Sequence, residues 1–216
     1  MKLSKKDIIS QLKKEILELT LKPGDMLSEA TLTERFGLSR TPIRDILKQL
    51  ASEGYVKIYP QRGSLVSYID LESVEQIVYL RNSLEKEIFR DLRKRITISQ
   101  KHDLMKILNE QASCIQEKSL KGFLDYDDEF HRTCFEFAGR LFLWDVIQQF
   151  NVHYLRYRSL HMRDYKKLED LLEEHKSLLN YLNGDDTMTI EALIHHHLRA
   201  DEVNLEKSME LNQYIR

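Results

Sequence analysis

The chain has 216 residues, 42% hydrophobic and 31% charged, with a formal net charge of −2, a composition that fits one large or two modest globular domains and excludes disordered and collagen-like classes. No stretch approaches the roughly 18 consecutive apolar residues of a membrane helix, and MKLSKKDIISQLKK has no apolar signal-peptide core, so a cytoplasmic protein without membrane contact is expected. The charge is uneven: residues 1–69 hold 12 Lys and Arg against 8 Asp and Glu, net +4, and the remainder is net −6, as in a phosphate-binding module joined to an acidic partner domain.

Over residues 4–19, Ile9, Leu12, Ile16 and Leu19 recur at helical spacing, and Lys22-Pro23-Gly24-Asp25 breaks the pattern. Ser28 and Glu29 open a short second helix that stops at Gly37. Ser39 caps a third, with Pro42 in the first turn, where its missing N–H is no loss, and Gly54 ends it. The β-prone runs Tyr55–Tyr59 and Ser64–Tyr68 flank the turn-forming Pro60-Gln61-Arg62-Gly63 and predict a hairpin. After Asp70, apolar residues at intervals of three and four predict six helices, roughly 71–96, 98–118, 120–138, 141–161, 164–183 and 186–210. The expected fold is mainly α: a winged helix-turn-helix domain with a small β-hairpin wing over 1–69, and an all-α helical bundle over 70–216. Cys114 and Cys134 have no CxxC spacing and read as reduced thiols.

Helix, short helix, tight turn, helix and a two-stranded wing is the order in which a third helix enters the DNA major groove. Ile43, Leu47 and Leu50 fall on its core face, and Thr41, Arg44 and Lys48 on the other, with Arg40 in the first turn. The planar arginine fork suits guanine O6 and N7 or a phosphate, and Lys a point contact. Arg62-Gly63 at the wing tip suits the minor groove or backbone. A protein-interaction module with a solvated basic face is the bland alternative. Lys22-Pro23-Gly24-Asp25-x-Leu27, Phe36-Gly37-Leu38-Ser39-Arg40-Thr41-Pro42-Ile43-Arg44-Asp45-Ile46-Leu47, Glu53-Gly54-Tyr55-Val56 and Pro60-x-Arg62-Gly63 together resemble the DNA-binding domain of the GntR family. That resemblance implies operator contacts by Arg40, Thr41, Arg44 and Gly63. It also implies a lost phosphate contact at Ala30, where many relatives carry a basic residue.

A second constellation lies in the C-terminal helices. Asp127 and His131 sit four residues apart in the apolar stripe of Phe123, Leu124, Phe130 and Cys134. His175 aligns with Leu168, Leu171, Leu172, Leu178, Leu179 and Leu182, and His197 with Ile190, Leu193, Ile194 and Leu198. A single inward histidine is ordinarily a hydrogen-bonded core residue. Three, with a carboxylate, suit a divalent cation such as Zn²⁺ or Ni²⁺ held by Asp127, His131, His175 and His197. His195 and His196 point elsewhere around the last helix and read as solvated; His102, His153 and His161 receive no role. The spacing resembles the FCD ligand-binding domain of GntR regulators, in which an Asp and a His four residues later are joined by histidines from two later helices. The six-helix count resembles its VanR-like branch.

Arg81 lies in line with Val74, Ile77, Val78, Leu84 and Ile88, so its guanidinium is expected to point inward. It then either binds the carboxylate of a small effector, an organic or sugar acid, or pairs with an internal acid such as Glu85. The reading that emerges is a homodimeric repressor of operator DNA, not an enzyme, controlled by a small carboxylate at a metal site. Two alternatives stand beside it: a regulator whose metal is purely structural, and a metallohydrolase, against which stands the lack of an HExxH motif and of a separate general base.

Overall fold

In the computed structural model, which describes residues 3–162, 164–199 and 212–215, the first helix, α1 (Lys5–Leu17), begins at a reciprocal cap. The Ser4 hydroxyl accepts from Asp7 N–H and the Asp7 carboxylate accepts from Ser4 N–H, satisfying two otherwise orphaned donors. The helix buries Ile8, Ile9, Leu12 and Ile16 and ends before Leu19, at φ +60°. α2 (Glu29–Phe36) stops at Gly37, whose φ of +62° is the left-handed helix stop. α3 (Arg40–Ser52) buries Ile43, Ile46, Leu47 and Leu50. Ser28 and Ser39 adopt the extended backbone of N-caps, yet neither hydroxyl bonds its helix.

The hairpin consists of β2 (Val56–Tyr59) and β3 (Gly63–Val66), paired antiparallel with Val56 opposite Val66 and Tyr59 opposite Gly63. A strand absent from the sequence reading, β1 (Met26–Leu27), covers the other edge of β3. Two residues are too few to show alternation. Gly24 N–H donates to Val66 C=O and Val66 N–H to Asp25 C=O, both at 2.9 Å, so the turn is tied to the wing. Gly24 has φ +89°, and a Cβ there would lie 2.7 Å from the Tyr68 hydroxyl. Gly24→Ala is therefore expected to destabilise the protein by ~1 kcal/mol or more, read as a lower midpoint of chemical denaturation.

Among the described residues seven helices follow the wing: α4 (Leu71–Arg93), α5 (Ile98–Gln116), α6 (Leu120–Phe137), α7 (Leu141–Phe150), α8 (Val152–His161), α9 (Tyr165–Leu182) and α10 (Ile190–Arg199). The single helix expected over 141–161 is broken at Asn151, and residues 200–210 of the last one lie outside the described set. No described helix is long and apolar enough to cross a membrane.

The chain forms two compact units. Among the described residues, the first joins 3–74 to 149–159 and 212–215. Its core is built by Ile8, Leu12 and Ile16 with Leu32, Ile43, Ile46, Leu47, Leu50, Val56 and Val66. Most of α8 belongs here: the wholly buried Arg156 donates through Nη1 to Ser67 Oγ at 3.0 Å, and Ser67 Oγ donates to Gly54 C=O at 2.6 Å. Burial pulls the Arg156 pKa down to about 10. The second unit, residues 75–148, 160–162 and 164–199 of those described, packs α5 against α6 and α9, and α10 against α9.

Candidate functional site

On the first unit, Arg40, Thr41, Arg44 and Lys48 of α3 are all exposed, as are Arg62 and Gly63 at the turn of the wing. Gly63 has φ +106°, a conformation for which only glycine is unstrained. Arg44 is not a bare cation: its Nε donates to both carboxylate oxygens of Glu29, at 2.9 and 3.0 Å. The sequence reading missed this pair, because two exposed residues 15 apart carry no periodic signal. Ala30 is also exposed, leaving a neutral surface where a basic side chain would otherwise stand.

In the second unit, α6 brings His131, α9 brings His175 and α10 brings His197 to one place, with Asp127 of α6 beside His175, each at most 4% exposed. One ring nitrogen from each histidine lies within 4.8 Å of the other two. His131 Nε2 and His197 Nε2 are 3.0 Å apart, and His175 Nε2 is 3.5 Å from Asp127 Oδ1 with no hydrogen-bond partner. Phe130 packs on the His175 ring, with centroids 4.6 Å apart, and Trp144 of α7 lies parallel to His131.

The opposite edges of the rings face oxygens. His175 Nδ1 is 2.9 Å from Gln111 Oε1, and His197 Nδ1 is 3.0 Å from Glu174 Oε2. His131 Nδ1 is 3.0 Å from Glu85 Oε2, within ion-pair distance though not aligned for a hydrogen bond. A ring that gives its Nδ1–H to such an oxygen presents a bare lone pair at Nε2, and between the neutral rings of His131 and His197 the two Nε2 atoms, 3.0 Å apart, hold one proton at most. Burial, then the neighbouring His131, draws the His197 pKa down to about 3; burial, then His197, holds His175 well below the usual histidine value. Ring nitrogens gathered from three buried histidines, with the Asp127 carboxylate beside His175, are a donor set that suits a borderline divalent cation, which would fill the space between His131 and His197 and give His175 Nε2 the bond it lacks. The residues fit a metal.

Arg81 is 2% exposed, and its Nε donates to Glu85 Oε1 at 2.7 Å. Of the two sequence expectations, the internal pair is present. Burial acts to raise the Glu85 pKa, but the Arg81 guanidinium, followed by His131, holds it below the usual carboxylate range. Glu174 is the reverse case, pushed up to about 7 by burial. His196 is exposed and 3.3 Å from Glu174 Oε1. His153 Nδ1 accepts from Asp70 N–H in the first unit, and His161 lies beside Lys167. Glu85, Gln111 and Glu174 were not anticipated as partners of the histidines. Gln111 and Glu85 left a trace, polar residues in phase with the buried Leu104 and Leu108 of α5 and with the buried Val78, Phe89 and Leu92 of α4.

Comparison with known proteins finds two families along the chain. Residues 4–66 match the family model described as bacterial regulatory proteins, gntR family, and residues 76–200 match that of the FCD domain. The HTH-type transcriptional repressor RspR of Escherichia coli K12 is 31% identical over 188 residues, covering 87% of this chain and 82% of that protein. The gluconate operon transcriptional repressor of Bacillus subtilis 168 is 26% identical, covering 89% and 80%. The solved structure of E. coli McbR/YncC is similar in fold, with a TM-score of 0.72 at 20% identity, over 95% of this chain and 98% of that one.

Proposed function

Since the chain belongs to the gntR family of bacterial regulatory proteins and carries an FCD domain, it is a DNA-binding transcription regulator and not an enzyme, and we propose that it is a repressor released by a small carboxylate. In this reading two copies grip a pseudo-palindromic operator, one winged unit per half-site. Arg40, Thr41, Arg44 and Lys48 meet the major groove, and Arg62 and Gly63 reach the backbone or minor groove. Relatives named as repressors, RspR and the gluconate operon repressor, support the sign. We further assign the FCD domain to the VanR-like branch, although seven described helices follow the wing instead of the six expected, six of them wholly or mainly in the second unit.

Asp127, His131, His175 and His197 would hold a divalent metal, Zn²⁺ or Ni²⁺, which supplies a buried positive charge and coordination positions for a carboxylate. Arg81, whose charge acts on both His175 and His197, is the residue we assign to the effector's second oxygen. The observation that carries the metal is the buried approach of His131 Nε2 to His197 Nε2 at 3.0 Å. It is tested by elemental analysis of protein purified without added metal, then by operator titrations with and without small organic and sugar acids. A carboxylate that weakens operator binding only in the metal-loaded protein supports the reading; indifference to every acid supports a structural metal. Two facts favour that second reading: Phe130 and Trp144 pack against the ligand rings, and Arg81 already has Glu85.

Arg44→Ala is expected to weaken operator binding by ~1–3 kcal/mol and relax the preference at one base pair. The check is a titration against operator variants; equal loss on every sequence would make Arg44 a phosphate contact instead.

A further inference from the structure

Each of the three histidines turns its Nδ1 toward an oxygen from a separate residue, Glu85 on α4, Gln111 on α5 and Glu174 on α9, at 2.9–3.0 Å. Glu85 and Gln111 are wholly buried, and the Glu174 side chain is 13% exposed. Placing polar groups in apolar stripes is unfavourable unless a local partner compensates, and each has the same kind of ring atom opposite it. An acceptor at Nδ1 selects the tautomer that leaves Nε2 bare, holds the ring in one orientation and raises its basicity.

We propose that Glu85, Gln111 and Glu174 are the positioning residues of the metal centre, one for each histidine, and that they set how tightly it holds its ion. The three differ in charge. Gln111 is neutral, the Glu85 charge is offset by Arg81, and Glu174 divides its oxygens between His197 and His196. Arg81 thus acts on His131 through Glu85, whatever its contact with an effector. This inference rests on the metal reading above.

The test uses the full chain, with Zn²⁺ affinity measured by competition against a chelator and Co²⁺ as a spectroscopic probe. Gln111→Leu and Glu174→Ala are each expected to weaken Zn²⁺ binding ~10–100-fold and to shift the visible Co²⁺ bands. Gln111→Glu and Glu174→Gln, which restore an acceptor, should stay within a few-fold of the parent. A core role alone would lower stability without this rescue by acceptors or the spectral shift. Glu174 lies at the edge of the buried cluster, so Glu174→Ala keeps the test alive should Gln111→Leu fail to fold. Parental affinity and spectrum in Glu174→Ala or Gln111→Leu, with the unaltered protein binding metal, would overturn the positioning roles alone. An unaltered protein that takes up no metal after reconstitution would overturn the metal reading as well.

Discussion

Replacing His175 by Ala should reduce the metal content of protein purified without added metal from about one ion per chain to almost none, with affinity lowered by at least ~100-fold, beyond the range for outer partners. His175 is wholly buried; one ring nitrogen faces Gln111, and the other lies 3.5 Å from Asp127 Oδ1 without a hydrogen bond. Its loss leaves the Asp127 carboxylate beside a cavity instead of a donor, and a solvent-excluded site has little with which to compensate. His196→Ala, one residue from His197 but exposed, is the control and should retain the ion. Thermal unfolding gives an independent readout. An ion present at a thousand times its dissociation constant stabilises the folded state by ~4 kcal/mol, so added Zn²⁺ should raise the midpoint of the unaltered protein and leave that of His175→Ala nearly unmoved. If both respond equally, the ion is bound elsewhere.

The second large effect concerns Arg81. Removing one member of a buried ion pair leaves an uncompensated charge and destabilises a protein by ~3–5 kcal/mol. Arg81→Leu should do this, since the Arg81 and Glu85 side chains are only 3% and 1% exposed and no water can replace the lost guanidinium. Replacing both residues with apolar ones of similar volume should recover most of the loss, because the isolated charge is then gone. Denaturant titrations of the metal-free single and double variants decide the matter. Additive losses would show that the two residues act independently; a small loss for Arg81→Leu would show that its charge contributes little to folding and return it to the effector alone.

The inward residues were largely legible in the sequence, because a helical stripe carries its own phase. His131, His175 and His197 were each embedded in such a stripe and are each buried. The turn of the wing was legible from Pro60 to Gly63, and the stop of α2 from Gly37. What escaped was set by contacts between distant segments. The partner of His175 lies 64 residues away and that of His197 23 residues away, separations at which periodicity says nothing. The break at Asn151 escaped for a different reason. It has neither Gly nor Pro, and the buried Trp144, Ile147, Tyr154 and Tyr157 keep one helical phase across it, so the apolar spacing carries no trace of the break. β1 was hidden between the break at Lys22–Asp25 and the cap at Ser28, since its pairing is supplied by β3, nearly forty residues later.

The path of the chain through α8 bears on how such proteins can be cut and recombined. Residues 149–159 are spatially part of the unit that reads DNA, yet they fall inside the 76–200 segment matching the FCD domain. A gene fusion that takes only residues 1–74 would leave behind Arg156, the donor to Ser67, and His153, the acceptor for Asp70 N–H. After a protease cut near residue 74 the N-terminal fragment would be held only by its contacts with α8, which stays joined by the chain to the second unit at both ends. Inheritance of this reading head as an exchangeable cassette therefore has to include a segment encoded some eighty residues downstream, which ties the history of the two units together more closely than a simple tandem of domains would.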